Sequence, residues 1–435
     1  MKFIKIFIIV SILALSLYIR FHNYSVYPQR GATSDEYSYS FLGVSLLTKH
    51  EPISWSSFQT YKDVQHLTIE KIYFPIVHPY FDHPPLNGLV VGGWALLFGE
   101  NTFEKISLET IRIVPIILGL ISSLLVLLIG RKAYGFKTGI WALLIFTTVT
   151  TFVMNMRVVV AENLLTVIFL TALYLFLKFE KRMKTKHTII LGILCGLGLL
   201  TKILGVVIFL TILYLFLLRR LPKKQLLVLI GIFTVFLLIL LGYGAYYDFD
   251  LFLQVQFAQS GRDIGPQTLW LITLSPTIVN YVYYDAWYFL GIFALLYSFS
   301  SIKRNAIIVI PALIYLLLLV FSLTQHGHSG WYLIPLFPFM SLAIAQMLVE
   351  GLEKKNFLYL VLLFFIGVIQ IPSAYEQAFG LVGMQYRILL LIMFTPLLIS
   401  FLFKNDRLYK FLGNSWFYLL IFNTALNTLN YIHPV

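Results

Sequence analysis

Four short stretches of this chain gather side chains that can move protons or hold anions. ATSDEYSYSFLGVSLL (residues 32–47) sets two acids side by side, Asp35 and Glu36. Adjacent carboxylates disfavour double ionisation, so one apparent pKa rises toward working pH and the pair titrates jointly. YFDHPPLNG (80–88) places Asp82 and His83 ahead of a proline pair that restricts the backbone. RVVVAENLL (157–165) holds Arg157 and Glu162, and GLGLLTKILG (196–205) sets Lys202 between two apolar halves. An ionisable group in such apolar surroundings is costly unless it is paired or functional. Plainer readings stand beside these. Asp35 and Glu36 suit a solvated helix end, Glu162 suits a structural ion pair with Arg157, and Lys202 can snorkel to an interface. Arg112 can anchor a helix at the headgroups. His326 and His328 invite a zinc reading, but no convincing third ligand accompanies them.

The elements that must position these groups are membrane helices. The 435 residues are 59% hydrophobic and 12% charged, far from the roughly 25% charged make-up of soluble domains. Segments of about 17 to 25 apolar residues span a bilayer as helices, because lipid offers the backbone no hydrogen bonds. The chain contains thirteen candidates: 4–22, 110–130, 138–154, 162–179, 188–200, 203–218, 225–245, 286–302, 306–323, 332–349, 357–372, 387–403 and 411–430. For 188–218, crowded with Gly192, Gly196 and Gly198, one long kinked helix is the alternative. The fold class expected is all-α, a single polytopic membrane domain over 1–435.

Charge sets the orientation. With the N-terminus cytoplasmic, the inner segments carry 21 of the 32 basic residues, and of the 19 acids only Glu180, Glu350, Glu353 and Asp406 fall inside. The net charge of +13 is then a topological signal, not the clustered basic surface that a nucleic-acid partner requires. Residues 3–19 are long for a cleavable signal and lack a small-residue cleavage pattern before Arg20, so they read as an anchor. Cys195, alone in a helix, can form no internal disulfide. Two long outer loops remain, 23–109 and 246–285, too aromatic for disorder. They are expected to form helices lying on the outer membrane surface. All four chemical stretches map to this side.

A first helix, an Asp-Glu pair, a His-Pro-Pro-Leu stretch, then Leu-Phe-Gly and an Arg opening the second helix (ETIRIVPIILGLISSLLVLLIGRKAYG, 109–135) resemble the polyprenol-phosphate-sugar-dependent glycosyltransferases of the GT-C class. The branch most similar is the protein O-mannosyltransferase and lipid A aminoarabinose transferase group. GLGLLTKILGVVIF resembles its Gly-rich helix ending in Thr-Lys, and HSGWYLIPLFPFMSL (328–342) its Tyr-Leu-Pro-Leu-Pro segment. The resemblance spans most of residues 1–345; the helices of 345–435 carry no recognised motif. His83 stands where the aminoarabinose branch has Lys, in agreement with the mannosyltransferase-like pattern.

The resemblance implies attack of an acceptor hydroxyl or amine on the anomeric carbon of a lipid-linked sugar at the outer face, with the lipid phosphate leaving. It assigns Asp35 as general base, with Glu36 orienting the acceptor or holding Asp35. It assigns the donor phosphate to Arg112 and Lys202, with Arg157 as a further candidate. Asp82, His83 and Glu162 are further active-site candidates. No cofactor is assigned, and Asp82 and His83 with Asp35 could hold a divalent cation. The partners implied are a polyprenyl-phosphate sugar donor and a protein, lipid or glycan acceptor. The alternative is a transporter or flippase of a lipid-linked saccharide, which would place polar groups near the midplane. Here they crowd the outer face.

Overall fold

The computed structural model describes residues 2–69, 72–260, 269–270, 272–273, 275–322, 329–380 and 383–433. Helices dominate, as they must where each backbone polar group is satisfied within its own segment. The first half contains α1 (Lys2–Phe21), α2 (Asp35–Lys49), α3 (Pro85–Leu97), α4 (Leu108–Ile111), α5 (Ile113–Tyr134), α6 (Phe136–Thr148), α7 (Thr150–Asn155), α8 (Ala161–Phe179) and α9 (Thr185–Thr201). The second half adds α10 (Val206–Leu218), α11 (Lys223–Tyr247), α12 (Phe249–Ser260), α13 (Ala286–Phe299), α14 (Ile302–Val320), α15 (Phe337–Glu353), α16 (Phe357–Phe379), α17 (Met384–Leu402) and α18 (Asp406–Leu429).

Among the described residues, seven helices are long and apolar enough to cross a membrane, and six further apolar helices are shorter. The expected span 138–154 is broken. Val149 adopts an extended conformation (φ −63°, ψ 121°) between α6 and α7, inside the run TTVTTF, whose β-branched residues are poor helix formers. The 13 residues of α6 reach about 20 Å at 1.5 Å per residue, short of a roughly 30 Å hydrocarbon core. The stretch 188–218 is two helices rather than one kinked helix. α9 ends at Thr201, Lys202 is extended (φ −160°, ψ 145°), and one 3-10 turn, Ile203–Gly205, leads into α10. Gly198 and Gly205 let the two backbones meet there, since a Cβ on Gly205 would lie 1.9 Å from the Gly198 carbonyl oxygen.

The helix containing Gly330–Glu353 is 94% buried over its apolar window, whereas α11 and α17 are each 17% buried. The former therefore forms the centre of the bundle, packed against α6 and α13, and the latter two turn most of their surface outward.

The long loops are not helical throughout, which corrects that expectation. Between α2 and α3 lies a three-stranded antiparallel sheet of β1 (Ser54–Trp55), β2 (Val64–Ile69) and β3 (Ile72–Val77), in the order β1-β3-β2. Its register pairs Val64 and Ser54 with opposite edges of Val77. β2 and β3 (VQHLTI and IYFPIV) are rich in β-branched and aromatic residues, which suit a pleated, half-buried surface. The second loop holds α12 and a short ladder of β4 (Thr277–Ile278) with β5 (Tyr281–Val282). The two loops touch: the Asn280 amide donates to the Ala32 carbonyl at 2.9 Å.

Candidate active site

The two adjacent acids open α2 but serve different surroundings. Thr33 Oγ1 accepts the Asp35 amide at 3.2 Å, and the Trp55 indole donates to the Ser34 carbonyl at 2.9 Å, so the start of the helix is pinned on both sides. Glu36 turns inward. Its carboxylate accepts Arg112 Nε at 2.9 Å, Arg112 NH2 at 2.7 Å and the Val159 amide at 3.0 Å. The remaining Arg112 nitrogen donates to the carbonyls of Tyr24 and Pro28 at 3.0 and 2.6 Å. Both side chains are fully buried. Glu36 is therefore engaged with Arg112 and the Val159 amide. Arg112, equally, is committed to protein oxygens and presents no free fork to a phosphate.

Arg157 is withdrawn in the same way. It is 1% exposed and donates to the carbonyls of Ile19 and Tyr27 at 2.5 and 3.2 Å. It does not pair with Glu162, whose partner is Lys202.

Lys202 lies at the break between α9 and α10, where the chain leaves its own helical hydrogen bonds and the side chain is free to reach across. Its ammonium ion-pairs with Glu162 in the first turn of α8 and sits 4.7 Å from the centroid of the Tyr332 ring. Asp35 is within electrostatic range of the same ammonium. The Lys202 side chain is 12% exposed and that of Glu162 is sealed, so the lysine carries the pair's charge to the surface of a cleft instead of snorkelling alone. Glu162 Oε2 has no hydrogen-bond partner among the described residues.

That cleft, open on one side, has a volume of about 180 Å³ and is lined by Asp82, His83, Lys202, Gln256, Gln259 and Tyr332, among others. The Asp-His-Pro-Pro segment is held from two sides. Tyr61 donates to Asp82 Oδ1 at 2.6 Å and accepts the Phe81 amide at 2.9 Å. Burial and the neighbouring carboxylate push the Tyr61 phenol upward, which keeps it a donor to Asp82. From α12, Gln256 and Gln259 donate to the carbonyls of Phe81 and Asp82 at 2.9 and 2.5 Å. His83 stacks on Tyr39 with ring centroids 4.5 Å apart, and Tyr39 follows Asp35 by one helical turn.

The structure thus brings Asp82, His83 and Lys202 to one cleft, with Glu162 buried behind Lys202, and buries Glu36, Arg112 and Arg157 within the protein. Tyr61, Gln256 and Gln259 hold the Phe81–Asp82 segment, which sequence reasoning missed. The i, i+3 glutamines of QVQFAQ were the available signal, and Tyr61 had none. Among the described residues no group of three or more His, Cys, Asp or Glu side chains converges as a metal site. His326 and His328 lie outside the described residues.

The family model of dolichyl-phosphate-mannose-protein mannosyltransferases matches residues 82–243, a run that opens at Asp82 and contains Glu162 and Lys202. No curated protein matches the sequence. Among solved structures, ArnT from Cupriavidus metallidurans bound to undecaprenyl phosphate is similar over 97% of this chain and 76% of its own, at 13% identity and a TM-score of 0.59. The archaeal oligosaccharyltransferase AglB from Archaeoglobus fulgidus, in complex with an inhibitory peptide and a dolichol-phosphate, is similar over 95% of this chain, at 14% identity and a TM-score of 0.52. This chain spans 56% of the length of AglB. With its apolar helices and these likenesses, the chain is an integral membrane protein that shares the largely helical, polytopic fold of ArnT and AglB.

Proposed function

We propose that this protein transfers a sugar from a polyprenyl-phosphate-linked monosaccharide to a protein, lipid or glycan acceptor at the extracytoplasmic face of the cell membrane. The observation that carries the reading is the cleft in which Lys202, held by Glu162, comes within electrostatic range of Asp35. A glycosyl transfer from a phosphate needs a base for the nucleophile and a cation for the leaving group, and these residues supply both.

In this reading Asp35 takes the proton from the acceptor hydroxyl or amine. The acceptor atom bonds to the anomeric carbon, the bond from that carbon to the phosphate oxygen breaks, and the electron pair leaves on the lipid phosphate. Lys202 stabilises the charge that develops there. Glu162 fixes the ammonium in place. His83 and Tyr332 form the walls against which the sugar packs. Glu36 and Arg112 act through the backbone by fixing the start of α2, not on the phosphate. The charge bias of the connecting segments supports a cleft on the outer side and an N-terminus in the cytoplasm.

The test is turnover by the purified protein in detergent of radiolabelled polyprenyl-phosphate hexoses and pentoses with mixed protein, lipid and glycan acceptors. Release of polyprenyl phosphate with transfer of label is the expected result. Donor binding without turnover across the panel would overturn the reading.

A further inference from the structure

The end of the bundle opposite the cleft holds a second, open pocket of about 490 Å³, where the turn between α5 and α6 meets the start of α14 and the end of α15. α5 begins beside Arg112 and has 22 residues, so its far end lies about 33 Å from the cleft side. Lys137, Arg304 and Lys354 line the cavity, with Tyr134, Gln346, Glu350 and Glu353, so its cations outnumber its acids by one. Glu350 is already occupied: it accepts from Arg304 at 3.1 Å, pairs with Lys354, and accepts the Gln346 amide at 2.9 Å. Further cations surround the rim, Arg131 and Lys132 in the last turn of α5 and Lys5 over the Phe136 ring.

Two polar atoms in this cavity have no hydrogen-bond partner among the described residues, the Tyr134 hydroxyl and Gln346 Oε1. Gln346 is 4% exposed, and its Nε2 is fixed by Glu350, so the orphaned oxygen is an acceptor. Buried polar atoms without partners are rare in folded proteins and each calls for an explanation. A phenol donor among cations suits phosphate oxygens, and an orphaned acceptor beside them suits a hydroxyl on the same ligand. Basic pockets between membrane helices hold anionic lipid head groups. We infer that this cavity binds the head group of an anionic phospholipid, a phosphodiester that carries hydroxyls, as in phosphatidylglycerol. Phosphate oxygens face Lys137, Arg304 and the Tyr134 hydroxyl, and a head-group hydroxyl donates to Gln346 Oε1. The inference is independent of the activity proposed above.

The experiment titrates the purified full-length protein in detergent with phosphatidylglycerol, with phosphatidylcholine of the same acyl chains, and with soluble glycerol 1-phosphate. Bound lipid is read by native mass spectrometry and Tm is measured in parallel. Phosphatidylglycerol is expected to bind at least about fivefold more tightly than phosphatidylcholine, and Arg304→Gln to weaken it about five- to tenfold. Because Arg304 also pairs with Glu350, Tyr134→Phe is the second variant; it leaves every ion pair in place and is expected to weaken phosphatidylglycerol alone. Equal binding of the two lipids would overturn the inference, as would phosphatidylglycerol binding unchanged in both variants. A full Tm shift from glycerol 1-phosphate would make a soluble phosphate ester the occupant, which also overturns it.

Discussion

Arg112 forks the carboxylate of Glu36 with two hydrogen bonds of 2.9 and 2.7 Å across 76 residues of sequence, and neither side chain is exposed to solvent. The pair ties the beginning of α5 to the beginning of α2. Through the Val159 amide and the Tyr24 and Pro28 carbonyls, it also ties in the segment before α8 and the segment after α1. The residue next to this fixed point is Asp35.

Removing one partner of a buried ion pair leaves an uncompensated charge, which costs about 3 to 5 kcal/mol. Glu36→Gln and Arg112→Met are each expected to lower Tm strongly in detergent. The double variant Glu36→Gln with Arg112→Met is expected to be more stable than the sum of the two single losses predicts. Strictly additive losses in that thermal-unfolding cycle would show that the two side chains are not coupled.

Asp35 stands apart from that framework. It is half-buried, and Asp35→Asn preserves its shape while removing its proton affinity. If Asp35 is the general base, kcat falls by about 10² to 10⁴-fold, with Tm and donor binding close to wild type. Unchanged kcat would reassign the base, and a large loss of Tm would mean a structural role.

Lys202 is expected to act on the donor instead. Lys202→Met keeps most of the aliphatic stem against Tyr332 but deletes the charge, so donor binding weakens and kcat falls. Glu162→Gln leaves the ammonium in place without its counter-ion, and a smaller loss is expected. Isothermal titration with a polyprenyl phosphate checks both. Equal affinity in wild type and Lys202→Met would remove Lys202 from the phosphate.

Much of this arrangement was legible in the sequence because the cost of charge in apolar surroundings marks the residues that matter. Glu162 and Lys202 announced themselves as ionisable groups bordering apolar helices, and the His-Pro-Pro stretch by its spacing after the acid pair. Their partners were not legible. Glu162 is 40 residues from Lys202 and only five from Arg157, so local reasoning favoured the wrong cation. Arg112 was assigned to the phosphate by the resemblance, and sequence alone did not show its contacts with Glu36 and the Tyr24 and Pro28 carbonyls. The sheet was hidden by size: two strands of six residues, one of them containing Pro75, give too few alternations to register inside a long aromatic loop.

The same limit hid the contact that fixes α2 in space. α2 and α3 touch backbone to backbone: a Cβ on Gly43 would lie 1.8 Å from the Gly88 carbonyl oxygen, and one on Gly92 would lie 2.4 Å from the Val44 nitrogen. Backbone cannot yield as a flexible side chain can, so Gly43→Ala must push α2 away from α3. Overpacking of this kind costs about 1 to 3 kcal/mol. It also displaces two elements that each lead into the cleft, since α2 carries Asp35 and α3 follows His83 and Pro84. Gly43→Ala and Gly92→Ala are therefore expected to lower both Tm and kcat. Gly93→Ala, whose new methyl would meet only the Leu47 side chain at 3.6 Å, is expected to be nearly silent in both. If Gly93→Ala proved as damaging as its neighbour, the loss would come from the glycine-rich helix itself and not from the backbone contact between α2 and α3.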